Sequence, residues 1–181
     1  MTHHFNRSLT MLATALEMEE KGKSFYSKAI GECHNDLGLK IFSMLKQDED
    51  IHIQRIKSIY EHLQGTHTWD ESWKTMGLEH KDLTVVFREL AATHQKTIKA
   101  DTGDLAALDV GLDFEFRSVR FYEEQLKAAE DPLEIEFVKH MIEEERSHHS
   151  ALLEMKAFLS DPAAWFRGVE RGAFDGGTAM G

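Results

Sequence analysis

The chain has 181 residues, 41% of them hydrophobic and 29% charged, the make-up of one soluble globular domain over 1–181 with an ordinary core. Against 21 Lys and Arg stand 32 Asp and Glu, and the net charge of −11 argues against nucleic acid or an anionic membrane surface as the main partner. The single cysteine, Cys33, excludes an internal disulfide framework and a Cys-x-x-Cys metal knuckle, and it points to a reducing, cytoplasmic home. No stretch approaches the roughly 18 apolar residues of a membrane span. The start carries His3, His4 and Arg7 without the apolar run of a signal peptide.

Proline occurs only at 132 and 162, so long uninterrupted helices are the default. The first is expected from roughly Ser8 to Glu32, capped by Asn6 or Ser8, with Leu12, Leu16, Glu19, Lys23, Tyr26 and Ile30 on one face. Gly22 lies inside it, where glycine costs about 1 kcal/mol, and its small size suits close packing beside Glu19. A short turn from Cys33 leads to Asn35 or Asp36 as the next cap, which makes the first two helices antiparallel neighbours. The second helix runs to about Gln64, where Gly65 closes it. Its inner face reads Leu37, Ile41, Leu45, Asp48/Glu49, His52, Ile56 and Ile59.

Residues 65–103 form a long crossover, with Trp69, Trp73 and Met76 as anchors and a shorter helix within Leu78–Lys99. Such a connection lets the second and third helices of a bundle run parallel. The third helix is expected over Leu105–Ala129, with Leu108, Leu112, Glu115, Val119, Tyr122 and Leu126 inward. Asp131 then caps and Pro132 opens a fourth helix, which presents Val138, Met141, Ile142, Glu145, His148, Leu152 and Met155 and ends near Leu159. The bundle thus covers 8–159. A short C-terminal cap bearing Trp165 and Phe166 follows from Asp161-Pro162, and glycines from Gly168 onward predict a mobile tail within 160–181. Aromatic residues outside the main helices predict a homodimer that covers them.

A repeat runs through this plan. Glu19, Phe25, Tyr26, Glu49 and His52 recur as Glu115, Phe121, Tyr122, Glu145 and His148, each at an offset of 96 residues. The chain therefore holds two copies of one helix pair. Glu49-Asp50-Ile51-His52 and Glu145-Arg146-Ser147-His148 each set a carboxylate and an imidazole one turn apart on a face that is otherwise apolar. Charges there are costly unless paired, and a metal ion answers both groups at once.

Four carboxylates and two imidazoles facing one cavity make the ligand set of a two-metal carboxylate site: Glu19, Glu49, His52, Glu115, Glu145 and His148. Four negative charges balance two divalent ions, with a shared oxo or hydroxo group to complete the set. Mostly oxygen ligation with one nitrogen per ion suits iron or manganese better than zinc. Glu49 and Glu145, which share a face with their His, are the expected bridging carboxylates, and Glu19 and Glu115 the terminal ones. Tyr26 and Tyr122 stand two turns beyond the terminal glutamates and are expected to meet ligating carboxylates. Asp48 and Glu144, at equivalent positions, are expected to face solvent or support the ligands. His149 and His140 fall off the inner face.

These stretches, with Glu19-Glu20-Lys21-Gly22-Lys23-Ser24-Phe25-Tyr26 and Glu115-Phe116-Arg117-Ser118-Val119-Arg120-Phe121-Tyr122, resemble the rubrerythrin-like branch of the ferritin-like superfamily. The resemblance implies an all-α, ferritin-like antiparallel four-helix bundle holding two iron ions. It also implies reduction of hydrogen peroxide, or reaction with dioxygen, in oxidative-stress defence. Full rubrerythrins append a rubredoxin domain with paired Cys-x-x-Cys motifs; this chain has one cysteine, so electrons come from a separate donor such as a rubredoxin-like protein. Full rubrerythrins also carry an extra carboxylate near the third-helix ligand, whereas Leu112 and Ser118 stand three residues either side of Glu115 here. An iron-binding or ferroxidase protein without peroxide turnover is the alternative the same ligand set allows.

Overall fold

The computed structural model describes residues 2–77, 82–93 and 102–175. Its helices are α1 (Thr2–Glu32), α2 (Asp36–Thr66), α3 (Leu83–Thr93), α4 (Thr102–Leu126), α5 (Pro132–Ser160) and α6 (Pro162–Asp175), with a 3-10 turn at Ser72–Thr75. Helix α1 packs along α2 and α4 along α5, and α1 meets α4 to close the bundle. The crossover from α2 to α4 passes through α3, which lies on α5 and α2, while α6 folds back on α5. This is the ferritin-like four-helix topology with a short helix added at the C-terminus.

Local chemistry sets the ends. Asn35, in an extended conformation, accepts a 2.7 Å hydrogen bond from the Gly38 N–H and so opens α2. Asp131 accepts from the N–H groups of Leu133 and Glu134, and Pro132 follows at the first helical position. Asp161 opens α6 by accepting from the Ala164 N–H.

Four sequence expectations need correction. Helix α1 begins at Thr2 rather than Ser8, so Asn6 and Ser8 are interior and do not cap it; Ser8 instead donates to the Glu134 carboxylate. Gly65 does not close α2, which continues to Thr66 and ends on His67 in the left-handed region at φ 59°. Helix α4 spans Thr102–Leu126, about a turn earlier than expected at each end. The chain also stays helical through Asp175, past the glycine where a mobile tail was expected. Gly168 faces open space, and α6 carries Trp165 and Phe166 onto the core, which gives the segment something to fold against. The shorter crossover helix is α3; residues 78–81 and 94–99 of its expected range lie outside the described residues.

The interior is apolar at both ends and polar in the middle. One cluster gathers Tyr26, Phe42, Phe87, Leu152, Met155 and Phe158; the other gathers Tyr122, Ile56, Ile59, Trp73, Phe137 and Met141. Each fully buried side chain of this kind contributes about 1.5–3 kcal/mol, and together they fix the helices against one another. Trp69 and Trp73 pack on Phe137 and are buried within the chain, whereas Trp165 packs on Phe87 and Phe158 but stays half-buried, as does Phe166. Among the described residues, no helix is long and apolar enough to cross a membrane.

Candidate metal centre

Between the two apolar clusters, the four long helices deliver Glu19 from α1, Glu49 and His52 from α2, Glu115 from α4, and Glu145 and His148 from α5. All six are at most 3% exposed. Two ligand groups result, Glu19–Glu49–His52 and Glu49–Glu115–His148, whose donor atoms lie within 4.8 Å of one another in each. Glu49 belongs to both. Glu145 stands beside them, with its carboxylate 3.2 Å from His52 Nδ1 and 3.8 Å from His148 Nδ1.

The repeat has become an approximate two-fold arrangement. His52 and His148 stack with ring centres 5.5 Å apart. His52 Nδ1 lies 3.1 Å from Glu19, and His148 Nδ1 lies 3.7 Å from Glu115. The tyrosines cross over: Tyr122 donates a 2.6 Å hydrogen bond to Glu19 Oε1, and Tyr26 donates to Glu115 Oε1. Each thereby ties up one oxygen of Glu19 or Glu115 and leaves Oε2 turned toward a histidine. The outer ring nitrogens are backed across the bundle as well. His52 Nε2 meets Glu144 at 3.1 Å, and His148 Nε2 meets Asp48 at 3.3 Å.

Gly22 sits where a side chain would strike the centre. A Cβ there would come 2.7 Å from both Glu49 Oε1 and a Phe114 ring carbon. The close packing expected of this glycine is therefore made against Glu49 itself.

Charge decides what such a site can hold. Burial works to raise the Glu19 carboxyl, but the adjacent His52 charge together with hydrogen bonding to His52, Glu49 and Tyr122 outweighs it and holds Glu19 at about 2. Glu115 is likewise lowered against burial, by His148 beside it. Burial, then the Glu19 charge, pushes Glu49 well above the usual carboxyl range; burial with Glu19 and Glu115 does the same to Glu145. Burial disfavours charge on both imidazoles, yet Glu19 and Glu144 raise His52, and Asp48 and Glu115 raise His148. Without metal, the histidines thus favour the charged forms of Glu19 and Glu115, while burial and the neighbouring carboxylates favour the protonated forms of Glu49 and Glu145. Two divalent ions would offset all four carboxylates, and their binding would release protons from the groups whose values are raised.

The hydrogen bonding supports the same fit. Both oxygens of Glu49, both of Glu145, Glu115 Oε2 and His148 Nδ1 are buried without a hydrogen-bond partner. Orphaned polar atoms cost about 1–3 kcal/mol each, and all of these belong to four of the six expected ligands. A carboxylate-rich donor set with one imidazole per ion fits iron or manganese.

The remaining sequence-selected residues fall around this centre. Asp48 and Glu144 back the histidines rather than facing solvent. His140 reaches Glu144 at 3.2 Å, and His149 is half-buried with its ring 6.5 Å from that of Phe116. Sequence reasoning passed over Arg55, which is 6% exposed and donates a 2.6 Å hydrogen bond to Glu144. Its signal was present: Asp48, His52, Arg55 and Ile59 follow at helical spacing down the buried face. A surface pocket of about 690 Å³, lined by Asp48, Arg55, Met76, Glu143, Glu144 and His148 among others, reaches this outer edge of the centre.

No protein-family model matches the chain, and neither a curated protein nor a solved structure matches it. Fold and site therefore speak for themselves. An all-α bundle that closes two carboxylate–histidine clusters about a shared glutamate, in a chain with one cysteine and hence no rubredoxin-type cysteine cluster, has the architecture of a ferritin-like di-iron carboxylate centre.

Proposed function

We propose that the protein is a di-iron oxidoreductase that reduces hydrogen peroxide, or reacts with dioxygen, using electrons from an external donor. The observation that carries this reading is the pair of buried Glu/Glu/His clusters sharing Glu49. When bound, two ferrous ions supply one electron each to a two-electron reduction. Glu19, Glu49, His52, Glu115, Glu145 and His148 would hold the ions, with Glu19 and Glu115 as terminal ligands, Glu49 and Glu145 as bridging carboxylates and the two histidines as nitrogen ligands. Tyr122 and Tyr26 orient the terminal carboxylates, and Glu144 and Asp48 orient the imidazoles. The six ligands are buried, and among the described residues the pocket beside Asp48 and His148 gives the centre a polar approach. A cytoplasmic, separate rubredoxin-like protein is a fitting donor, since the single cysteine supplies none within the chain.

Stopped-flow mixing of the anaerobically reduced, iron-loaded protein with peroxide and with oxygen tests the reading. Peroxide should oxidise the centre much faster than oxygen, and an added rubredoxin should sustain turnover. Iron that remains ferrous after peroxide would refute it.

One observation favours a second reading, iron handling with ferroxidase activity. Asp48, Asp82, Glu136, Glu143 and Glu144 line the pocket, an acidic approach suited to a metal cation. Oxygen-driven accumulation of iron beyond two per chain would select that reading.

A further inference from the structure

We infer that Arg55 makes the two halves of the centre unequal, so that the Glu19–Glu49–His52 half takes the first metal ion. The inference rests on the two-metal reading above and adds an order of loading to it.

Arg55 is held at two points. Its Nε donates to the Met76 carbonyl at 2.8 Å, and its Nη1 donates to Glu144 Oε2 at 2.6 Å. The crossover is shaped to receive it: Gly77 takes φ +136°, and a Cβ there would come 2.7 Å from Arg55 Nη2. Only glycine suits both the backbone and the space. A guanidinium fixed at two of its donors places its carboxylate partner in one orientation. That partner, Glu144, lies 3.1 Å from His52 Nε2 through the same Oε2. The chain Met76–Arg55–Glu144–His52 thus anchors one imidazole to the backbone of the crossover.

The repeat does not carry this arginine into the other half. The position 96 residues after Arg55 is Ala151, so no arginine reaches Asp48 from the equivalent turn of α5. The two rings differ accordingly on their ligand sides. His52 Nδ1 stands 3.1 Å from Glu19 and 3.2 Å from Glu145, while His148 Nδ1 stands 3.7 Å and 3.8 Å from its carboxylates and has no hydrogen-bond partner. A ligand already fixed in its binding orientation gives up less freedom when the ion arrives. Partners behind a ligating histidine change metal affinity by about 10- to 100-fold, enough to separate two binding steps.

The test is titration of the metal-free protein with cobalt(II) by calorimetry, with proton NMR of the one-equivalent sample to find paramagnetically shifted imidazole N–H resonances. The expected result is two steps about tenfold or more apart. The first should carry one shifted imidazole N–H that disappears in His52→Asn and survives in His148→Asn. Arg55→Leu should draw the two steps together and speed solvent exchange of that proton, and Arg55→Lys should restore part of the separation. Glu144→Gln breaks the same link with less change of shape, should an Arg55 variant not fold. Two equal steps in the parent, a first-step resonance that follows His148, or an unchanged separation in folded Arg55→Leu and Glu144→Gln would each overturn the inference while leaving the two-metal reading intact. No cobalt binding by the parent would overturn both.

Discussion

Glu19 on α1 accepts a hydrogen bond from Tyr122, and Glu115, 96 residues later on α4, accepts one from Tyr26. The two helix pairs match residue for residue at this depth and part company within two turns. Gly22 in the first pair corresponds to buried Ser118 in the second, and Arg55 to Ala151. Each pair alone would bury carboxylates it cannot neutralise; facing one another, they supply the tyrosines and carboxylates that orient each other's ligands. Symmetry is therefore kept where two ions need equivalent surroundings. It is lost where α1 must approach Glu49 and where the Met76 carbonyl of the crossover meets Arg55 of the first pair.

The sharpest way to break the comparison is at the one residue common to both clusters. Glu49→Ala should remove the shared ligand and reduce bound iron from two per chain to nearly none, whereas Glu115→Ala should spare the other half and retain about one. Elemental analysis after desalting reads the difference. Equal losses in the two variants would show that Glu49 is not shared.

The protons held by the two pairs offer a second test. Glu49, Glu145, His52 and His148 all have raised values in the fold. Each contributes stability that is fully present below its unfolded value, about 4.3 for Glu and 6.5 for His, and is lost as pH rises through the folded one. Glu19 and Glu115 are lowered, so their contribution is present above about 4.3 and lost as pH falls. Metal-free protein should accordingly be most stable in mildly acidic buffer and lose Tm toward pH 8. Since metal displaces those protons, the rise in Tm on adding manganese(II) should grow over the same interval. Calorimetry that finds metal-free Tm climbing from pH 6 to 8 would contradict the charge assignment.

At Gly22 the pairs differ in space. Gly22→Ala gains about 1 kcal/mol of helix propensity, but the clash with Glu49 and Phe114 should outweigh it and leave a net loss of about 2 kcal/mol. Gly31→Ala, on the exposed side of the same helix with open space around it, should instead stabilise by about 0.5–1 kcal/mol. Chemical denaturation of the two variants compares them directly. The smallest contrast concerns the crossed tyrosines. Tyr26→Phe and Tyr122→Phe should each cost about 1.5 kcal/mol, with near-equal values if the two-fold holds and clearly unequal ones if it does not.

Much of this was legible in the sequence because it is periodic. Glu19, Glu49, His52, Glu115, Glu145 and His148 interrupt apolar faces at helical spacing and recur at one offset, so a bundle with a polar centre followed from pattern alone. Asn35 and Asp131 announced helix starts through their own chemistry. What escaped depends on contacts between distant parts of the chain. Ser8 looks like a cap until Glu134, 126 residues away, claims its hydroxyl. Gly168 looks like the start of a tail until Trp165 and Phe166 on its own helix meet the core. Arg55 has no copy in the repeat, and its role needs the Met76 carbonyl and the bend at Gly77, neither of which periodicity reveals.

A buried centre for two metal ions sets the iron content of each chain. Metal-free parent and the Glu49→Ala/Glu145→Ala double variant would be loaded anaerobically with Fe(II), desalted and analysed side by side. Two irons per parent chain and clearly fewer in the variant are the predicted result. A parent that retains almost none, or a variant that retains as much as the parent, would contradict it.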